Sequence, residues 1–309
     1  MIIKPSAIVA PGHPDRIEDF YTFRLDSQRE YLIADVGDWA NQLSGGPYGF
    51  PALARDRDEP EDTKYGGGLI GAFIARKTLQ KSGNSGWSLI DEINAAIRER
   101  GYERIGVQNY REQRALTFTG YIARVVANPE RTLVTAVGDV RVAVDGEVIA
   151  GRTKNIDEHV PQVRRHYILE HGETLEAIKE AYLKASKPAM INQYSWQNTP
   201  WHAFSYPAID GTNTSPNEGV QVVDVPTPRK LLMWSDGYPA NPDVFSVAGL
   251  EAKLRQVYEE DPYRYKKYPA VGYPLDDRTA LEIDFSGGFD KIEVSHPNIR
   301  SPKEFYKEL

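Results

Sequence analysis

The apolar positions of the chain fall into two rhythms. Short alternating or continuous runs predict strands, and runs with three- and four-residue spacing predict helices. YLIADVGDW (31–39) is an apolar strand that ends in carboxylates. From 115 to 150 the chain is β-like, with Val, Ile and Thr in alternating or continuous runs. Pro129-Glu130 marks a turn there, and Asp145-Gly146 is a two-residue hairpin signal between RVAV and EVIA. GVQVVDVP, KLLMWSDG, TALEIDF (279–285) and DKIEVS complete the strand set.

The helical rhythm appears first in TKYGGGLIGAFIARKTLQKSG (63–83), where Ile70, Phe73, Ile74 and Lys77 share a face and Gly83 is a natural stop. WSLIDEINAAIRERG (87–101) follows, with Ser88 as cap and Ile90, Ile93, Ala96 and Ile97 as the apolar stripe. Further helices are predicted over 161–171, over 173–186 with Leu175, Ile178, Tyr182 and Leu183 inward, and over 247–259 with Ser246 as cap. Two stretches have no period. Residues 41–64 are rich in Gly, Pro and charge and read as a long loop or insertion, and 187–219 read as irregular. Most strands are joined by hairpins, which predicts antiparallel sheets covered by helices, an α+β layered fold. No linker divides the chain, so 1–309 is expected to be one domain.

Composition narrows the function. With 40% hydrophobic and 26% charged residues, the chain has the balance of a soluble globular protein. It has no cysteine, which excludes disulfides and thiolate metal sites and suits a cytoplasmic location. A net charge of −7 without a basic run argues against nucleic acid as a partner. The first residues carry no signal-peptide pattern, and no apolar run is long enough to predict a membrane span.

Acids recur at strand ends. They are Glu18-Asp19 in RIEDFYTF, Asp35 in YLIAD, Asp139 after LVTAVG, Asp236 after LLMWS, and Asp276-Asp277 before RTALEI. A single such Asp is ordinarily a turn residue or cap. Five converging carboxylates would repel one another, and a divalent cation is the simplest compensation. All-oxygen ligands suit Mg²⁺ or Mn²⁺ over Zn²⁺.

The ordered set IEDFYTF, LIADVGD, GGGLIGAFIA, VTAVGDVRVAVDGEVIAG, LLMWSDGYP and DDRTALEI resembles the metal-dependent protein phosphatases of the protein-phosphatase-2C-like type, over roughly residues 15–285. The resemblance implies a four-layer α-β-β-α sandwich, two antiparallel sheets flanked by helices, with two or three Mg²⁺ or Mn²⁺ ions. It also implies hydrolysis of phosphoserine or phosphothreonine in a phosphoprotein by a metal-bridging hydroxide. By position, Asp35 would bridge the ions, with the Val36 carbonyl beside it. Asp236 and Asp276 would bind one ion, and Asp19, next to Glu18, would act directly or through water. Asp139 would form a third site with Asp236, and Asp277 and Thr279 would support the Asp276 loop. Arg16 is the candidate for phosphate binding, although the family's arginine stands where this chain has Pro14. The family's Asp-Gly-x-Gly-Gly reads Asp35-Val36-Gly37-Asp38-Trp39 here, which places an extra acid, Asp38, beside Asp35.

That altered motif and the 41–64 stretch motivate an alternative, a catalytically inactive pseudophosphatase that serves as a binding or regulatory module. A small phosphorylated metabolite is a further substrate class. An N-terminal-nucleophile amidase would share the layered architecture, but the chain opens Met1-Ile2-Ile3. Among the six histidines none has metal-ligand spacing; His13 is placed to be a proton donor.

Overall fold

The computed structural model describes residues 19–26, 30–39, 67–102, 119–151, 154–186, 196–199, 201–212, 219–239, 241–269 and 278–295. Side-chain alternation in its strands separates an inner from an outer face and so sets the layers. Strands β1 (Phe20–Asp26), β2 (Tyr31–Trp39), β3 (Gly120–Ala127), β4 (Arg131–Val137) and β7 (Val220–Pro226) form one antiparallel sheet in the order β1-β2-β3-β4-β7. Strands β5 (Arg141–Val144), β6 (Glu147–Ala150), β8 (Lys230–Trp234), β9 (Ala280–Asp284) and β10 (Glu293–Ser295) form the other, in the order β10-β9-β8-β5-β6.

The sheets share one apolar core. Leu32, Ala34, Val36, Ala123, Val125 and Val134 from the first sheet meet Val142, Leu231, Met233, Leu281 and Ile283 from the second. The outer face of the first sheet, through Phe20, Trp39, Ile122 and Val137, packs on helices α1 (Gly67–Lys81) and α2 (Gly86–Ile97). Ile74, Leu79, Leu89, Ile90, Ile93 and Ile97 are the helical side of that contact.

Two further helices, α3 (Asn155–Glu170) and α4 (Leu175–Ala181), pack on each other, with Ile168, Ala181 and Tyr265 between them. The outer face of the second sheet is covered by α5 (Val247–Glu260), whose Val247, Leu250 and Leu254 meet Ala143, Leu232, Trp234 and Ala280. The layers therefore run helix, sheet, sheet, helix, the α+β sandwich expected. No described helix is long and apolar enough to cross a membrane.

Several details differ from the sequence reading. α3 starts six residues before Pro161 and runs through it. Asp157 and Glu158 in its first turn favour that start. Pro161 falls in the second turn, where it cannot donate to the Asp157 carbonyl, and the helix runs through it at that cost. The N-cap of α2 is Ser85 rather than Ser88. On α4 and the π-helical turn after it (Tyr182–Ser186), Leu175 and Leu183 are exposed, and the buried positions are Ala177 and Ala181. The close approach to α3 admits only small side chains there. The 41–64 insertion and much of 187–219 lie outside the described residues.

Candidate metal centre

β2 carries two acids three residues apart, and a strand sends such residues to opposite faces. Leu32, Ala34 and Val36 face the core between the sheets, and Asp38 continues that row. Asp35 lies on the helix side with Trp39. It pairs in register with Thr22 of β1 and Arg124 of β3. Its carboxylate accepts from Arg124 Nε at 2.5 Å, Arg124 Nη2 at 3.1 Å and Thr22 Oγ1 at 2.5 Å. Both members of the ion pair are wholly buried. Arg124 also donates to the carbonyls of Leu79 at 2.7 Å, Ser82 at 3.1 Å and Asn84 at 2.9 Å, at the end of α1 and just beyond it. Asp35 thus holds an arginine that ties α1 to the sheet. The expectation that it bridges metal ions is corrected: its oxygens are bonded on the wrong face of the strand. Val36 was expected to offer its carbonyl beside Asp35. It pairs on both sides, with Tyr21 and Ala123, so its backbone belongs to the sheet ladder.

Among the described residues one group of acids converges, Asp38, Asp139 and Asp236, with one oxygen of each within 4.8 Å of the others. Each is delivered by a different device. Asp38 comes from the inner face of β2 near its end. Asp139 lies in the turn that carries the chain from β4 in one sheet to β5 in the other. That turn needs Gly138, at φ 79°, where a Cβ would stand 2.2 Å from the Tyr121 ring. Asp236 follows β8 directly, in the second sheet. Asp19 precedes Phe20, which pairs with Gly37, and so stands beside Asp38 at the same end of the sheet. It accepts a short hydrogen bond from Ser235 Oγ. Ser235 Oγ in turn accepts from the Thr279 N–H at 3.0 Å, which anchors the chain where it emerges from 270–277. The structure therefore brings Asp19, Asp139 and Asp236 together and adds Asp38. Arg16, Glu18, Asp276, Asp277 and His13 lie outside the described residues.

The electrostatics are those of crowded like charges. Burial pushes the Asp38 carboxyl well above the usual range, and Asp236, Asp19 and Asp139 push it further. Burial and then Asp139 raise Asp236, opposed by Lys154, Arg141 and a hydrogen bond with Asp38. Two full charges about 5 Å apart repel by about 3 kcal/mol at an effective dielectric constant of about 20. Two cations are built in, Arg141, which is buried and acts on Asp236, and Lys154. Lys154 Nζ lies 2.9 Å from Asp139 Oδ2, with its side chain buried. It also sits 4.2 Å from the centroid of the Tyr121 ring and 5.4 Å from that of Tyr206. Burial disfavours its charge, but Asp139, Tyr121, Asp157 and Asp236 together carry its pKa well above the ordinary lysine value. Buried Asp139 Oδ1 has no hydrogen-bond partner among the described residues. Convergent carboxylate oxygens, one of them unpartnered among the described residues, and four acids in excess over two cations are a donor set that fits a hard divalent ion.

Solved structures similar to this chain include the serine/threonine phosphatase Stp1 from Staphylococcus aureus. It is 14% identical, with 91% of this chain and 93% of that one covered at a TM-score of 0.43. The serine/threonine phosphatase PstP/Ppp from Mycobacterium tuberculosis is 14% identical, with 92% and 99% covered at a TM-score of 0.40. RsbX, solved in complex with magnesium, is 12% identical, with 91% and 98% covered at a TM-score of 0.45. No family model and no curated protein matches the sequence. At these identities and TM-scores, likeness assigns neither residues nor activity to this chain.

Sequence reasoning missed two members of the centre. Asp38 was legible from parity, since it continues the row Leu32, Ala34, Val36 on an inward face. Lys154 has no comparable signal, because a lone lysine before a helix gives no sign of burial.

Proposed function

We propose that the protein is a metal-dependent phosphomonoester hydrolase, acting on phosphoserine or phosphothreonine in proteins. The observation that carries this reading is the convergence of Asp38, Asp139 and Asp236, drawn from both sheets, on one end of the sandwich. Asp38 takes the ligand role first expected of Asp35. Asp236 faces it from the second sheet, Asp139 flanks both, and Asp19 is held beside Asp38 by Ser235. Bound Mg²⁺ or Mn²⁺ would activate water at neutral pH and neutralise phosphoryl charge. The protein's own part is to hold the carboxylates on rigid strand ends and to keep them oriented. Asp276, and Arg16 as a phosphate anchor, remain candidates for completing the site.

Purified protein with Mn²⁺ is expected to hydrolyse an aryl phosphate, then a phosphoserine peptide. Asp236→Asn should abolish both activities and Asp38→Asn should do the same. Turnover that persists in EDTA would sink the metal mechanism. One observation favours the second reading, a pseudophosphatase: Lys154 already neutralises part of the centre. Calorimetry that finds no Mn²⁺ binding at millimolar concentration would select it.

A further inference from the structure

Lys154 is placed unlike a surface lysine. Its backbone is fixed at the N-cap of α3, where its carbonyl accepts from the Asp157 N–H at 2.9 Å and its own N–H donates to Asp157 Oδ2 at 3.3 Å. The side chain runs inward from there, and its ammonium lies against the Tyr121 face. The Tyr121 and Tyr206 rings are 6.2 Å apart and tilted by 57°, so they form two walls around the cation. Aromatic faces stabilise a cation that burial would otherwise disfavour. A further contact is Asp139 Oδ2, at a hydrogen-bonding distance.

We propose that the Lys154 ammonium is a tethered cation that takes the place of one metal ion, the one Asp139 and Asp236 would otherwise share, so that the centre holds one divalent ion fewer than its carboxylates could bind. The inference rests on reading the carboxylate cluster as a metal site. It assigns the cluster's charge balance to two different kinds of cation. An ion at the Asp139 position would have to expel a buried, aromatic-walled ammonium whose backbone is locked into a helix start. An ion between Asp38 and Asp236 would not. The tether also helps four acids, Asp19 included, to be packed together before any metal arrives: folding itself places this positive charge on Asp139, beside that of Arg141 near Asp236.

The test counts ions and does not depend on turnover. Mn²⁺ is titrated calorimetrically into the wild type, Lys154→Met, Asp139→Asn and the double variant Lys154→Met/Asp139→Asn. Lys154→Met is expected to bind one more Mn²⁺ per chain than the wild type, and the double variant to return to the wild-type count. Asp139→Asn alone should keep the wild-type count, and this arm decides the matter if Lys154→Met does not fold. In EDTA, Lys154→Met should melt below the wild type, and saturating Mn²⁺ should close the gap. Equal counts for the wild type and Lys154→Met, or an ion lost from Asp139→Asn, would overturn the inference and leave the phosphatase reading standing. A wild type that binds no Mn²⁺ beside a Lys154→Met that binds one would uphold the inference and remove the phosphatase reading. If neither binds, both are wrong.

Discussion

Asp35→Ala and Asp38→Asn change acids three residues apart on one strand, and they should act in opposite senses. Asp35→Ala removes three charge-assisted hydrogen bonds, two of them from Arg124, and leaves the buried Arg124 guanidinium, among the described residues, with the Leu79, Ser82 and Asn84 carbonyls alone. Removing one partner of a buried ion pair costs roughly 3–5 kcal/mol. Total stability is on the order of 5–15 kcal/mol, so the variant should still fold with its unfolding midpoint sharply lowered. Asp38→Asn removes a charge that repels its neighbours by up to about 3 kcal/mol per pair, a figure the Lys154 counter-charge reduces. A net gain of about 1–2 kcal/mol in the metal-free protein is expected. Urea unfolding in EDTA, followed by the fluorescence of buried Trp39 and Trp234, measures both changes. Mn²⁺ calorimetry on the folded proteins then separates the roles. Asp35→Ala should bind Mn²⁺ like the wild type, and Asp38→Asn should not bind it. A folded Asp35→Ala that loses Mn²⁺, beside an Asp38→Asn that keeps it, would refute the assignment of the two faces.

Asp157 gives a pH signature. Burial, opposed by Lys154 and helped by Asp139 and Asp236, raises its pKa to about 7. Because the folded value lies above the unfolded one, its contribution to stability is full below about pH 4 and is lost as pH rises through about 7. Asp157 is only partly buried, so metal-free stability should fall by about 1–2 kcal/mol across that window, less than the whole shift implies. Asp157→Asn should flatten the slope in urea titrations between those limits. Gly138→Ala forces a left-handed φ on a residue with a Cβ and drives that Cβ into Tyr121, so thermal unfolding should show a loss of about 2–5 kcal/mol. Ser235→Ala leaves the buried Thr279 N–H without its Ser235 acceptor and removes the hydroxyl that donates to Asp19. A stability loss of about 1–3 kcal/mol in urea and a fall in aryl phosphatase turnover of roughly tenfold or more are expected.

The layers were legible because alternation and hairpin signals are local. The span 31–39 of β2 and the Asp145-Gly146 turn follow directly from residue pattern. The candidate site was legible where an acid sits just outside a strand, as with Asp139 and Asp236, since a tip residue reaches the sheet end whichever way it faces. It failed inside β2, where family position pointed to Asp35 and only side-chain parity separates Asp35 from Asp38. The inward faces of α4 were misjudged for a related reason: helical spacing marks Leu175 and Leu183 as apolar, but the gap beside α3 takes Ala177 and Ala181. Lys154 and Arg124 could not be located from sequence, because a cation's burial depends on partners far away along the chain.

The two acids of β2 also make that strand intolerant of insertions and deletions. Loss of one residue between them and the β1 turn would slip the register by one. Asp35 would then point into the apolar core between the sheets. Trp39 would swing from its stack on Phe20 toward the carboxylates, and Arg124 would face an aliphatic partner. Both the clamp on α1 and the metal ligand would go in a single step. A scan of single-residue deletions should therefore find β2 far less forgiving than its core-facing residues, all small or aliphatic, would suggest.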